Sequence, residues 1–235
     1  MRQKHQVGDS GYATLLANRG FESFLWTQFL GAFNDNVYKM IVSIMALRIA
    51  ADPALGSRYL ALAGAVFVLP FLLFAGPAGQ IADRFSKTRV LQWTKVWEIV
   101  VMVTGIGALL SHSIGLLLLV LFLLAVQANF FSPAKYGILP EMLGEAQLSR
   151  ANGLLELTTF VAIVVGASFG TLLFEHWQHE LLKVGLALLA IAVIGSAASL
   201  GITRVPASGS REPFHWNPLH EVVQGVRSLR QRRAL

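Results

Sequence analysis

The sequence contains no cysteine, so it has no disulfide framework, no thiolate nucleophile and no cysteine-ligated metal. Charge is scarce as well. Asp, Glu, Lys and Arg make up 14% of the residues, where an ordinary soluble domain carries about 25%. That scarcity excludes a soluble globule and a charged disordered chain. Two chemical signatures are also missing. No histidine is followed by aspartate at the H-x4-D spacing that glycerolipid acyltransferases use, and no G-x4-G-K-[ST] loop is present to cradle a nucleotide phosphate. The chain is therefore not expected to be an enzyme, and nothing in it calls for a cofactor.

What is present in quantity is apolar sequence, 54% of 235 residues. A helix crossing a bilayer needs about 20 such residues. Six segments of sufficient length occur, near 23–50, 58–82, 90–110, 115–136, 152–174 and 181–203. None shows the strict alternation of a β-barrel strand. The expectation is an all-α membrane protein with six transmembrane helices. It divides into an N-terminal arm over 1–22, a bundle over 23–203 and a basic amphipathic linker helix over 204–235. Ala51–Ser57, Ser111–Ile114 and Glu175–Glu180 are expected as tight links on one side. The arm lacks the apolar core and cleavage site of a signal peptide.

Orientation follows from the basic residues. Arg2, Lys4 and Arg19 fall in the arm, and Arg84, Lys87 and Arg89 between the second and third spans. Arg150 lies between the fourth and fifth, and the tail holds Arg204, Arg211, Arg227, Arg230, Arg232 and Arg233. The three links on the other side hold none, so both termini are expected in the cytoplasm. The net charge of +6 then reads as an orientation signal rather than a nucleic-acid footprint. In the tail, Asn217 and Pro218 look like a helix start. Leu219, Val222, Val223, Val226 and Leu229 follow at helical spacing, suiting an anionic leaflet surface or the side of the bundle.

Ionisable residues inside a span cost roughly 2.5–3.5 kcal/mol each on insertion scales, which makes them functional candidates. Asp35 lies about 12 residues into the first span, or roughly 18 Å at helical rise. Gln28, Asp35, Lys39 and Ser43 share one helix face, with Asn34 and Asn36 flanking. This stripe must face protein or a water-filled cavity, unless Asp35 and Lys39 simply neutralise each other at i, i+4. In the fourth span Pro133 is expected to kink or break the helix. Lys135 beside it would either meet an anionic group or snorkel to the interface. Lys95 and Glu98, with Trp93 and Trp97, read as interfacial anchoring plus a local ion pair. Glu156 reads as a loop partner or a structural hydrogen bond. Ala162, Gly166 and Gly170 repeat at four-residue spacing, which lets helices approach closely. His176 and His179, flanked by Glu175 and Glu180, sit in an expected solvated turn, and no metal is assigned to them.

After the second span the chain reads Gly79-Gln80-Ile81-Ala82-Asp83-Arg84-Phe85-Ser86-Lys87-Thr88-Arg89-Val90-Leu91. This resembles motif A of the major facilitator superfamily, with Ser86 in place of the usual glycine and Thr88 in place of a base. An Asp at a helix end among bases can form a charge-assisted latch that favours one of two bundle arrangements. Gly79, Asp83, Arg84, Lys87 and Arg89 are the latch candidates. Three further runs, Phe33-Asn34-Asp35-Asn36, Ser132 to Glu141, and Ala151 to Glu156, are similar to the lysophospholipid transporter branch.

That resemblance implies a carrier moving lysophospholipid, chiefly the ethanolamine type, from the outer to the inner leaflet of a bacterial inner membrane. It implies roles for Asp35 and Lys135, with Asn34, Asn36, Gln28 and Lys39 as further candidate contacts. It also implies an acyltransferase as a functional associate. The fourth span lacks the arginine of motif B that many proton-coupled drug antiporters carry. The superfamily has twelve spans in two halves, so the chain is expected to be an N-terminal half plus central linker, truncated or needing a second half or a second copy. The alternatives are an export pump for drugs or other small solutes, and a non-transporting membrane module or acyltransferase scaffold.

Overall fold

The computed structural model describes residues 11–207 and 209. Eight helices follow one another, and no strand occurs among the described residues. They are α1 (Tyr12–Leu16), α2 (Arg19–Ile49), α3 (Pro53–Arg84), α4 (Lys87–Ser111), α5 (Ile114–Gly137), α6 (Leu139–Met142), α7 (Glu145–Trp177) and α8 (Leu181–Ser199). The six long ones coincide with the six apolar segments.

Their starts follow from capping chemistry. The Asn18 side chain accepts from the amides of Gly20 and Phe21 at 3.0 and 3.2 Å. Asp52 accepts from Leu55 at 2.8 Å with Pro53 at the first helical position, where its missing N–H costs nothing. The link expected over Ala51–Ser57 is accordingly shorter, because residues from Pro53 onward already belong to α3. Between α4 and α5 the turn is made by His112 at φ 53°, a left-handed conformation that closes the helix end.

Five helices, α3, α4, α5, α7 and α8, are long and apolar enough to cross a membrane. The 31-residue α2 is not among them, because it carries the polar and charged stripe. Pro70 and Pro77 in α3 and Pro133 in α5 lie inside helices that continue past them. The break expected at Pro133 is thus corrected: α5 runs on past it to Gly137.

Packing is organised around α2, which lies chiefly against α7 and α8, while α5 joins α3 to α4. The four-residue repeat in α7 lets it approach α2 closely. A Cβ on Gly166 would stand 2.7 Å from the Phe33 carbonyl oxygen, and one on Gly170 would stand 2.8 Å from that of Val37. These are backbone-to-backbone contacts only glycine permits.

Two apolar cores result. One gathers Val37, Tyr38, Ile41, Leu109, Leu121, Leu124 and Val184; the other gathers Phe21, Phe24, Leu91, Ile138, Ala151 and Leu155. A layer of buried polar side chains lies between them along each helix: Gln28 and Asn34 in α2, Lys95 and Glu98 in α4, Gln127 and Lys135 in α5. Outward faces are apolar, with Leu72, Phe160 and Leu172 each more than 60% exposed. The basic helix expected over 204–235 lies outside the described residues, apart from its first few positions, as does the arm before Gly11.

Candidate functional site

The polar layer opens into a cavity of about 220 Å³. Its wall includes Gln28, Asp35 and Asn36 from α2, Phe67 and Phe71 from α3, and Lys95 and Glu98 from α4. Gln127, Phe131, Ser132 and Lys135 from α5 and Thr159 from α7 complete it. Asp35 and Lys135, 100 residues apart in sequence, thus share one chamber. Asp35 Oδ1 is buried and has no hydrogen-bond partner among the described residues. A buried unpaired acceptor of this kind is costly and marks a place where a donor belongs.

Lys135 is 8% exposed, so it does not snorkel. Its Nζ donates to Thr159 Oγ1 at 3.0 Å and lies 5.3 Å from the Tyr136 ring centroid. Thr159 donates to Gln28 Oε1 at 2.9 Å, and Gln28 Nε2 donates to Thr158 Oγ1 at 2.6 Å. This relay fixes the lysine across three helices. Ser132 and Gln127 follow the same face of α5, and Gln127 Nε2 donates to the Thr94 carbonyl at 3.1 Å.

Other candidates are placed differently. Asn34 is fully buried but does not line the cavity; its Nδ2 donates to Glu98 Oε1 at 3.1 Å. Lys39 also lies off the cavity wall, with Nζ 4.5 Å from the Phe67 ring centroid. Asp35 and Lys39 form no ion pair among the described residues. Asn36 lines the cavity and donates to the Ala32 carbonyl at 2.7 Å.

The reading of Lys95 and Glu98 as interfacial anchors is corrected. They do pair with each other, but at 1% and 0% exposure in the bundle interior. Trp93 and Trp97 point away, Trp93 being 75% exposed. The sequence signal was available: Lys95 and Glu98 sit one turn apart, on the face of α4 shared with buried Leu91 and Met102. Glu156 makes a structural hydrogen bond, accepting from the Tyr136 hydroxyl at 2.8 Å. Among the described residues no cluster of three or more His, Asp or Glu could hold a metal.

The motif over 79–91 forms the end of α3, a turn and the start of α4. Gly79 is open to added atoms; Asp83 and Arg89 are exposed and Arg84 half-buried. Lys87 is buried and pairs with Glu141 of α6 at 2.5 Å. A contact that sequence reasoning missed lies beside it. Ser86 Oγ donates to the Val205 carbonyl at 2.7 Å, and Thr88 Oγ1 donates to the Thr203 carbonyl at 2.8 Å. Thr88 also accepts from the Val205 amide at 3.1 Å. The two departures from the motif therefore clasp the segment that leaves α8.

Long apolar helices around a buried, charge-lined chamber define a multi-pass membrane protein of the carrier kind. The sequence matches the model of the Major Facilitator Superfamily over residues 25–235, and the chain belongs to that superfamily. Its relatives include lysophospholipid transporter LplT of Escherichia coli O6:K15:H31 (strain 536), 33% identical over 208 residues, or 87% of this chain and 48% of the relative. The protein of that name from Photorhabdus laumondii is 33% identical over 207 residues, 86% of this chain and 47% of the relative. That from Escherichia coli strain K12 / DH10B is 34% identical over 208 residues, 87% and 48% respectively. The chain spans about half the length of the curated relatives it matches. These likenesses place it with membrane transport proteins and not with enzymes.

Proposed function

We propose that the chain forms the N-terminal, six-span half of an alternating-access carrier that moves lysophospholipid across a bacterial inner membrane. The observation that carries this reading is the shared chamber of Asp35 and Lys135, an acid on α2 and a base on α5 in a wall that phenylalanines also line. Asp35 Oδ1 receives the headgroup ammonium and Lys135 the phosphate, while Phe67, Phe71 and Phe131 accompany the start of the acyl chain. At an effective dielectric near 20, an ionic contact at 4 Å is worth about 4 kcal/mol. That is comparable with the roughly 2.5–3.5 kcal/mol cost of holding each charge in the membrane, so substrate binds and still leaves.

In this reading α2 is a sixth span despite its polarity, both termini are cytoplasmic, and residues 1–22 and 204–235 form an arm and a linker there. Gly79, Asp83, Arg84, Lys87 and Arg89 hold one arrangement of the bundle against the other. A second six-helix bundle, on the same polypeptide or from another copy, completes the chamber; the twofold greater length of the relatives supports it. An acyltransferase consumes the delivered lipid.

The test is internalisation of fluorescent lysophosphatidylethanolamine by cells lacking their own uptake. Asp35→Asn and Lys135→Ala should each reduce it by about tenfold or more, the effect of losing 1.4 kcal/mol. Unchanged uptake in both variants overturns the reading. Preference for a soluble organic cation over lysolipid would favour an export pump instead.

A further inference from the structure

The chamber holds two charges that the substrate reading leaves unused. Lys95 and Glu98 are both buried, form an ion pair one helical turn apart, and line the same wall as Asp35 and Lys135. Their position is built rather than incidental. The lysine ammonium fits between two glycines on different helices: a Cβ on Gly31 of α2 would stand 3.2 Å from Nζ, and one on Gly195 of α8 would stand 3.0 Å from it. Glu98 is held from the opposite direction by Asn34 Nδ2 at 3.1 Å. Three helices therefore specify the place of this pair.

A buried pair of this kind contributes little net stability compared with apolar side chains of similar volume, so stability alone does not account for its place in the chamber. Its electrostatic effect is definite. Because Lys95 and Glu98 neutralise each other in place, the chamber offers a ligand one free acid and one free base. We propose that the Lys95–Glu98 pair sets the headgroup charge preference of the chamber, making it complementary to a zwitterionic amphiphile. The inference rests on the substrate reading above, and it makes these two residues determinants of specificity without direct contact to the headgroup.

The experiment is native mass spectrometry, in detergent, of the chain assembled with the second six-helix bundle that completes its chamber, with equimolar lysophosphatidylethanolamine and lysophosphatidylglycerol. The wild type should favour the zwitterionic lipid. Glu98→Gln leaves Lys95 uncompensated and should shift the ratio toward the anionic lipid by roughly tenfold, the order expected of one unit charge across a chamber at effective dielectric near 20. Lys95→Gln should shift it by a similar factor in the opposite direction. Glu175→Gln, which removes the same charge at an exposed position near the far end of α7, should leave the ratio unchanged.

Opposite shifts support the proposal, and a structural role alone would not produce them. Folded variants with the wild-type ratio overturn it while leaving the lysolipid reading intact. Failure of both variants to fold, with Glu175→Gln folding normally, assigns the pair to stability alone and overturns it. A wild-type chain that retains neither lipid overturns the lysolipid reading itself.

Discussion

Replacing Gly166 by alanine should destabilise the bundle, although alanine is the better helix former. The added Cβ would stand 2.7 Å from the Phe33 carbonyl oxygen and 3.3 Å from the Phe33 Cα. Both are backbone atoms of α2, so no rotamer change relieves the clash. Ordinary C···O contact requires α2 and α7 to separate by about half an ångström, which forfeits a quarter or more of the dispersion well along that seam. Overpacking of this kind costs roughly 1–3 kcal/mol, against a propensity gain of about 1 kcal/mol.

The net expectation is a loss of up to about 2 kcal/mol for Gly166→Ala, and a similar loss for Gly170→Ala, whose Cβ meets the Val37 carbonyl at 2.8 Å. The double variant should lose less than the sum, because one separation of the same two helices accommodates both methyl groups. Gly64, Gly107 and Gly153 are the internal controls, since a Cβ on any of them meets nothing within 4 Å. There alanine should be neutral or stabilising by up to about 1 kcal/mol. Unfolding by denaturant in a fixed detergent measures all five. Equal stability of Gly166→Ala and Gly153→Ala would refute the account of α2–α7 packing.

Glu98→Ala should cost about 3–5 kcal/mol in the same assay, because it strands a buried ammonium and leaves Asn34 Nδ2 without its acceptor. Lys95→Met combined with Glu98→Leu should restore most of that loss; a double variant as unstable as the single would show that the pair is net stabilising. Thr159→Val removes the acceptor of Lys135 at 3.0 Å, freeing the lysine to change rotamer. Lysolipid affinity should fall several-fold while thermal stability changes by about 1 kcal/mol, and parallel losses in both would deny Thr159 a positioning role. Thr88→Val deletes two of the three hydrogen bonds from the motif to the segment after α8, leaving that of Ser86. Amide exchange at Val205 should accelerate by about tenfold or more, one lost bond being worth roughly 1–1.5 kcal/mol, and an unchanged rate would place the hold on that segment elsewhere.

The helices were legible because their cause is local. Apolar length, the caps at Asn18 and Asp52, and proline at position 53 all act within one or two turns. Asp35 was legible because a carboxylate in an apolar run announces itself. The partners of these groups were not. The inward face of Lys95 was open to reading from its register with Leu91 and Met102. Its seat between Gly31 and Gly195 was not, because those glycines lie on α2 and α8 and acquire meaning only once three helices converge. Asn34 and Asp35 are neighbours in sequence, yet a helix turns about 100° per residue. One therefore meets Glu98 while the other meets the chamber. Ser86 and Thr88 read as weakened copies of a familiar motif, because the segment they hold lies more than 110 residues away.

The placement of α2 explains why the chamber and the fold cannot be separated. This helix is too polar to be comfortable in lipid on its own, with Asp35 and Lys39 each costing a few kcal/mol at depth. Every other long helix offsets part of that cost through a specific contact. α7 brings bare glycine backbone against Phe33 and Val37, and α4 supplies Glu98 to Asn34. α5 accepts the Tyr38 hydroxyl on the Leu117 carbonyl at 3.3 Å, α3 places the Phe67 ring under Lys39, and α8 leaves room for Lys95 beside Leu30. Among the described residues two buried side-chain oxygens stay unpaired by all this, Asn34 Oδ1 and Asp35 Oδ1. Of these only Asp35 lines the chamber, where, in the proposed function, a cationic headgroup supplies the donor that the helices withhold.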